Sequence, residues 1–186
     1  MKGIHPQKVI FPAVFFVASL LFFLSKSAYV FTHKNYIVGL DAESNRNASI
    51  SSSFPASIQQ WKDDIIIAAE NNQLDPDLIA AIILQESGGQ AQIISSSGAV
   101  GLMQVMPRDG KAASFSCVNG PCFENRPLIS ELVDPGFNIN YGSNLLASLI
   151  RNKGSLRSAL KAYGPMDAGF AYADTVLALY STNHQP

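Results

Sequence analysis

Histidine and cysteine are scarce in this chain, and the scarcity removes whole classes of chemistry. Its 186 residues hold three histidines, at positions 5, 33 and 184, and two cysteines. Two cysteines with no histidine beside them do not complete the ligand set of a zinc site. Charge is sparse and balanced as well: 13 Lys and Arg against 14 Asp and Glu give a formal net charge of −1. Nothing polybasic is present, so nucleic acid is not an expected partner. Internal repeats are absent, and no hairpin signal demands a sheet.

Long apolar runs are absent too, with one exception. Residues 9–24 (VIFPAVFFVASLLFFL) carry no charge and follow Lys2, His5 and Lys8. As a helix they span roughly 24 Å, short of the ~30 Å of a hydrocarbon core. Apolar character resumes beyond Lys26 in Ala28-Tyr29-Val30-Phe31, and a lysine near the interface snorkels. The expectation is a single-pass membrane anchor over residues 1–31, with the basic flank inside and the remainder outside the cytoplasm. A secretory signal cleaved near Ser25-Lys26-Ser27 is the alternative. No cysteine follows the run closely enough for a lipoprotein-type signal. Residues 32–55 show neither strand alternation nor a helical stripe and read as a linker.

Residues 56–184 then form the expected folded domain, with room for one core. Ile58, Trp61, Ile65, Ala68 and Asn72 mark one face of a first helix. The second is announced by Asp75-Pro76, a cap followed by proline, and stopped by Gly88-Gly89. A third, short helix is expected in the glycine-containing run 98–106. Asp134-Pro135 starts a fourth, ending at Gly154, Ser155 caps a fifth, and Tyr172, Val176, Leu179 and Tyr180 define a sixth. The expected architecture is all-α and single-domain. Between helices, Cys117-Val118-Asn119-Gly120-Pro121-Cys122 is a short loop with Asn-Gly and Gly-Pro turn signals. In an oxidising compartment it closes a small disulfide ring, with metal binding as the rival reading.

Chemistry concentrates at Glu86. Leu78, Ile82 and Glu86 recur at steps of four, so Glu86 continues the apolar face of its helix. A carboxylate there is either paired or kept protonated, since burial and the negative end of the helix dipole both disfavour its charge. That environment makes a general acid near neutral pH. The competing reading is a glutamate turned to the solvent rim.

The motif that follows separates the two. Glu86-Ser87-Gly88, then Ser95-x-x-Gly98-Ala99-x-Gly101-Leu102-Met103-Gln104-x-Met106-Pro107, resembles the soluble lytic transglycosylase catalytic domain, a lysozyme-like fold related to goose-type lysozyme. Asp134-Pro135-x-x-Asn138-Ile139-x-x-Gly142, Ala162-Tyr163 and Tyr172-x-x-x-Val176-Leu177-x-x-Tyr180 extend the resemblance over roughly residues 56–181.

The resemblance implies an enzyme that cleaves peptidoglycan between N-acetylmuramic acid and N-acetylglucosamine. One glutamate, Glu86, serves as acid and then base and leaves 1,6-anhydro-muramic ends, with no metal or cofactor. Met103 and Gln104 are the expected substrate contacts, an apolar face for a sugar ring and an amide for an acetamido or hydroxyl group. Ser95, otherwise a loop cap, would support the glutamate or touch a sugar. Tyr163 and Tyr172, otherwise aromatic core residues, would border the cleft. The chain departs from the family pattern at Gly164, where asparagine is common. Two alternatives stay open. One is a hydrolytic goose-type muramidase that activates water with Asp109, Glu124 or Asp167; the other is a non-catalytic peptidoglycan-binding scaffold.

Overall fold

Sequence signals and chain geometry agree best where a helix both starts and stops on a strong cap. The computed structural model describes residues 49–184, within the second of two units into which the chain divides, Asn47–Pro186. Seven α-helices make up most of it: α1 (Ala56–Gln59), α2 (Lys62–Asn72), α3 (Pro76–Ser87), α4 (Ile129–Leu132), α5 (Pro135–Lys153), α6 (Leu156–Tyr163) and α7 (Phe170–Asn183). Asp75 caps α3 by accepting from the Asp77 N–H at 2.8 Å, and Asp134 caps α5 from the Phe137 N–H at 2.7 Å. Each is followed by proline at the first helical position, where no N–H is needed. Ser155 caps α6, and Gly88 and Gly154 end α3 and α5 in the left-handed conformation.

α3 is central. Leu78 through Ile83 are all buried, so the helix is wrapped on every side rather than on one face. It packs against α2 and α7, while α5 packs on α2 and α6, and α6 on α7. Ile58, Ile65, Ile139, Leu146, Leu160 and Val176 complete the core at 0% exposure.

Four expectations change. Residues 50–55, assigned to the linker, belong to the fold: Ile50 and Phe54 are buried, and the Ser51 N–H donates to Asp77 Oδ1 at 2.7 Å. The first helix is broken in two at Gln60 and Trp61, where the indole N–H donates to the Gly89 carbonyl at 3.0 Å. Residues 98–106 are not a helix. Gly98, Gly101 and Gln104 all have positive φ (96°, 77° and 46°), which no right-handed helix accommodates. Val100 instead bridges to both Ile94 and Val105 in a tight, bonded turn. Finally, the cysteine loop holds a two-residue antiparallel hairpin, β1 (Ser116–Cys117) with β2 (Gly120–Pro121), so the domain is mostly rather than wholly helical. Among the described residues no helix is long and apolar enough to cross a membrane. The expected anchor over residues 1–31 lies outside them.

Candidate active site

The next-to-last residue of α3 is Glu86, half-buried where the helix macrodipole is negative. Burial pushes its carboxyl up to about 7, opposed by a hydrogen bond that Tyr172 donates to Oε1. Tyr172 stands in the first turn of α7 and is 7% exposed. Its own phenol is pushed up by burial and then by the Glu86 charge, so it stays protonated and remains a donor.

Tyr163 closes α6 and donates to the Met103 carbonyl at 2.9 Å. Its phenol is likewise raised by burial and by Glu86, with the positive charge of Arg126 opposing. Gly142 on α5 makes this approach possible. A Cβ there would lie 2.6 Å from Met103 Sδ and 3.0 Å from the Tyr163 hydroxyl. Gly164, the departure from the family pattern, has a packing reason of the same kind, since a Cβ would run into the Tyr172 ring.

The glycine-containing turn is tied down from beneath. Asn138, at 0% exposure, accepts from the Met103 N–H and donates to the Val100 and Leu132 carbonyls, all at 2.9 Å. Ser87 Oγ lies 2.9 Å from the Leu102 carbonyl and accepts from the Gly89 N–H at 3.2 Å, joining the end of α3 to the same turn. Sequence reading gave neither residue a role. The only signal was at Asn138, a small amide between Phe137 and Ile139.

The expected substrate contacts fare unevenly. Met103 is 0% exposed with its sulfur 3.8 Å from Ser143 Oγ, so its side chain offers no face to a sugar ring. What it places at the site is its carbonyl, held by Tyr163. Ser95 Oγ accepts from the Ala99 N–H at 2.9 Å and pairs with Ser97, so it is spent on its own loop and makes no bond to Glu86. Gln104 uses Nε2 on the Gly101 carbonyl at 3.0 Å and is half-buried. Of the three carboxylates considered for water activation, Asp109 accepts from the Ile129 N–H at 2.9 Å, whereas Glu124 and Asp167 are exposed.

Cys117 and Cys122 are joined in a disulfide across the hairpin. Beside it opens a polar cavity of about 320 Å³. At the opposite end of α3, Asp75, Asp77 and His184 come within ligand distance of one another. Their atoms already hold protein partners. Tyr180 donates to Asp75 at 2.6 Å, and Asp77 takes the Ser51 N–H and lies 2.9 Å from His184 Nδ1. The cluster fastens both ends of the described chain to α3 and sits far from Glu86.

With this geometry in view, comparison with known proteins is specific. A family model described as "Transglycosylase SLT domain" matches residues 63–171. "Membrane-bound lytic murein transglycosylase E" of Buchnera aphidicola subsp. Acyrthosiphon pisum is 35% identical over 109 residues, covering 55% of this chain and 48% of the relative. A "Transglycosylase" of Enterobacteria phage PRD1 is 33% identical over 104 residues, covering 56% and 34%. "Endo-type membrane-bound lytic murein transglycosylase A" of Klebsiella pneumoniae subsp. pneumoniae is 41% identical over 76 residues, covering 41% and 36%. The matched stretch thus spans about a third to a half of each of these curated relatives.

Proposed function

The chain belongs to the transglycosylase SLT domain family, and from that premise we propose that it is a peptidoglycan lytic transglycosylase with Glu86 as its catalytic residue. One observation carries the reading: a half-buried glutamate at the end of a core helix, with its pKa raised to about 7 and a tyrosine hydroxyl on one oxygen. An acid of that strength is partly protonated and partly ionised at neutral pH. Both states are required, because the reaction uses one residue as donor and then as acceptor.

In the first step Glu86 gives its proton to the glycosidic oxygen between N-acetylmuramic acid and N-acetylglucosamine, and the C1–O bond breaks. The muramic acetamido group stabilises the positive charge left at C1. Tyr172 keeps its proton and holds the Glu86 carboxylate that results. In the second step this carboxylate takes the proton of the C6 hydroxyl as O6 bonds to C1. The anhydro ring closes and the acid is regenerated, so atoms balance without water. Tyr163 and Gly142 hold the Met103 carbonyl beside this centre, and the half-buried Gln104 amide is the remaining substrate contact of the turn.

Residues 1–31 serve in this proposal as a membrane anchor, with the following segment as a tether that lets the domain reach the wall from outside the cytoplasm. The relatives named membrane-bound agree with that placement.

The experiment is digestion of purified peptidoglycan by the full chain, with products resolved by mass. Anhydro-muramic ends are expected, with turnover reduced at least ~100-fold in Glu86→Gln, which removes the transferable proton but fills the same space. Reducing ends in place of anhydro ends would establish the hydrolytic alternative. Undiminished turnover by Glu86→Gln would remove the assignment altogether.

A further inference from the structure

The cavity beside the disulfide has a charged wall that the reaction above does not use. Its lining includes Cys117, Cys122, Asn119, Phe123, Glu124 and Arg126. Arg126 is half-buried, its guanidinium carbon stands 5.9 Å from the Phe123 ring centre, and its backbone N–H closes a turn on the Phe123 carbonyl at 2.9 Å. The main chain beneath the side chain is therefore held, yet among the described residues the guanidinium forms no ion pair. An arginine fixed at its base and vacant at its fork is suited to a planar anion, which it binds through two parallel N–H donors. The Arg126 charge also reaches Tyr163, whose phenol is raised by Glu86.

We propose that this cavity is a second binding site of the same enzyme, in which Arg126 holds a carboxylate carried by the glycan strand. The inference rests on the peptidoglycan reading above and deepens it. A peptidoglycan strand carries carboxylates of two sources close to the cleaved bond. One belongs to the lactyl group of muramic acid where no peptide is attached, and the other to the peptides themselves. The Asn119 amide offers further donors at the rim. Glu124 lines the same cavity and opposes an anion, but it is exposed, so water and salt screen it. Cys117 and Cys122 line the same cavity, so their disulfide constrains its wall.

Binding separates this site from catalysis. The full chain carrying Glu86→Gln, which holds the strand without cutting it, is sedimented with three forms of insoluble peptidoglycan. One bears peptides, one is stripped to the free lactyl carboxylate, and one has its carboxyls capped as neutral amides. Adding Arg126→Gln should weaken binding roughly tenfold to one of the first two forms and leave the capped form unaffected; the form that responds identifies the carboxylate. Arg126→Lys should restore part of the loss, and Glu124→Gln should tighten binding to the same form. An equal loss on the capped form, or no loss on any, overturns the proposal. Failure of the lytic reading shows elsewhere, as missing anhydro products from the parent chain, so the two failures are distinguishable.

Discussion

Two loops of this domain are held in opposite ways. The turn over residues 98–106 is buried, with Val100, Leu102, Met103 and Val105 at 2% exposure or less. The hairpin over residues 116–122 is almost wholly exposed, with Val118 at 100%. Hydrogen bonds to the buried side chains of Asn138 and Ser87 fix the first, and a single covalent link fixes the second. The difference follows from what each loop has to bury. Apolar residues in the turn supply the driving force, and the buried bonds then select one geometry, because any displaced polar group would be left unpaired. The hairpin has little apolar area to lose, so constraint of its unfolded chain is the remaining means of ordering it.

The sharpest way to break the comparison is Asn138→Ala. It strands the buried Met103 N–H and Leu132 carbonyl and takes one of two bonds from the Val100 carbonyl, which keeps the Val105 N–H, at a cost of roughly 3–5 kcal/mol. The midpoint of denaturant unfolding should fall accordingly, and turnover should fall with it as the Met103 carbonyl loses its place. A cost below ~1 kcal/mol would mean that the turn is held by its apolar packing alone.

This residue also marks where the sequence stopped being legible. Helix starts and stops were readable because each depends on local rules: Asp75-Pro76, Asp134-Pro135, Ser155 and Gly154 stand within a turn of what they terminate. Glu86 was readable for the same reason, as a carboxylate out of place on an apolar stripe. The role of Asn138 depends on residues 35 and 38 positions earlier in the chain. No periodicity encodes such a contact. The turn at residues 98–106 was misread as a helix because its small apolar residues suit one, whereas the decisive fact is the left-handed backbone at Gly98, Gly101 and Gln104. Likewise Met103 looked like a sugar platform from its composition, and only the close approach of Gly142 shows it to be sealed.

The second effect in size concerns the acid itself. With its carboxyl near 7 in the folded chain against 4.5 as a reference, Glu86 binds its proton more tightly when folded. Relative stability from this group is fully present below about 4.5 and is lost as pH rises through about 7. Glu86→Gln has no charge to desolvate. Its unfolding midpoint should match the parent in acid and exceed it increasingly up to pH 8, by roughly 2–3 kcal/mol. A difference independent of pH would contradict the raised pKa. Turnover at low substrate should show the same ionisation as a falling limb above about 7.

For the hairpin, replacing Cys117 and Cys122 together by serine should cost about 2 kcal/mol on the loop-entropy account, which is model-dependent. The sequence separation is only 5, so the released chain is short. The core should survive, with increased amide exchange confined to residues 115–126. A loss of several kcal/mol would show that the two loops are coupled rather than independently held.

Tyr163 holds the buried turn, and it supports the finest distinction. Tyr163→Phe removes one hydrogen bond, to the Met103 carbonyl, at about 1 kcal/mol. Tyr172→Phe removes the bond that favours the charged form of Glu86, so the acid becomes weaker still. The falling limb of the pH profile should therefore move to higher pH in Tyr172→Phe and stay in place in Tyr163→Phe, which makes no bond to Glu86. Both phenols feel the Glu86 charge, so proximity alone predicts similar effects from the two substitutions. A shift of equal size in both variants would favour proximity, and a shift confined to Tyr172→Phe would assign control of the acid to the hydrogen bond from α7.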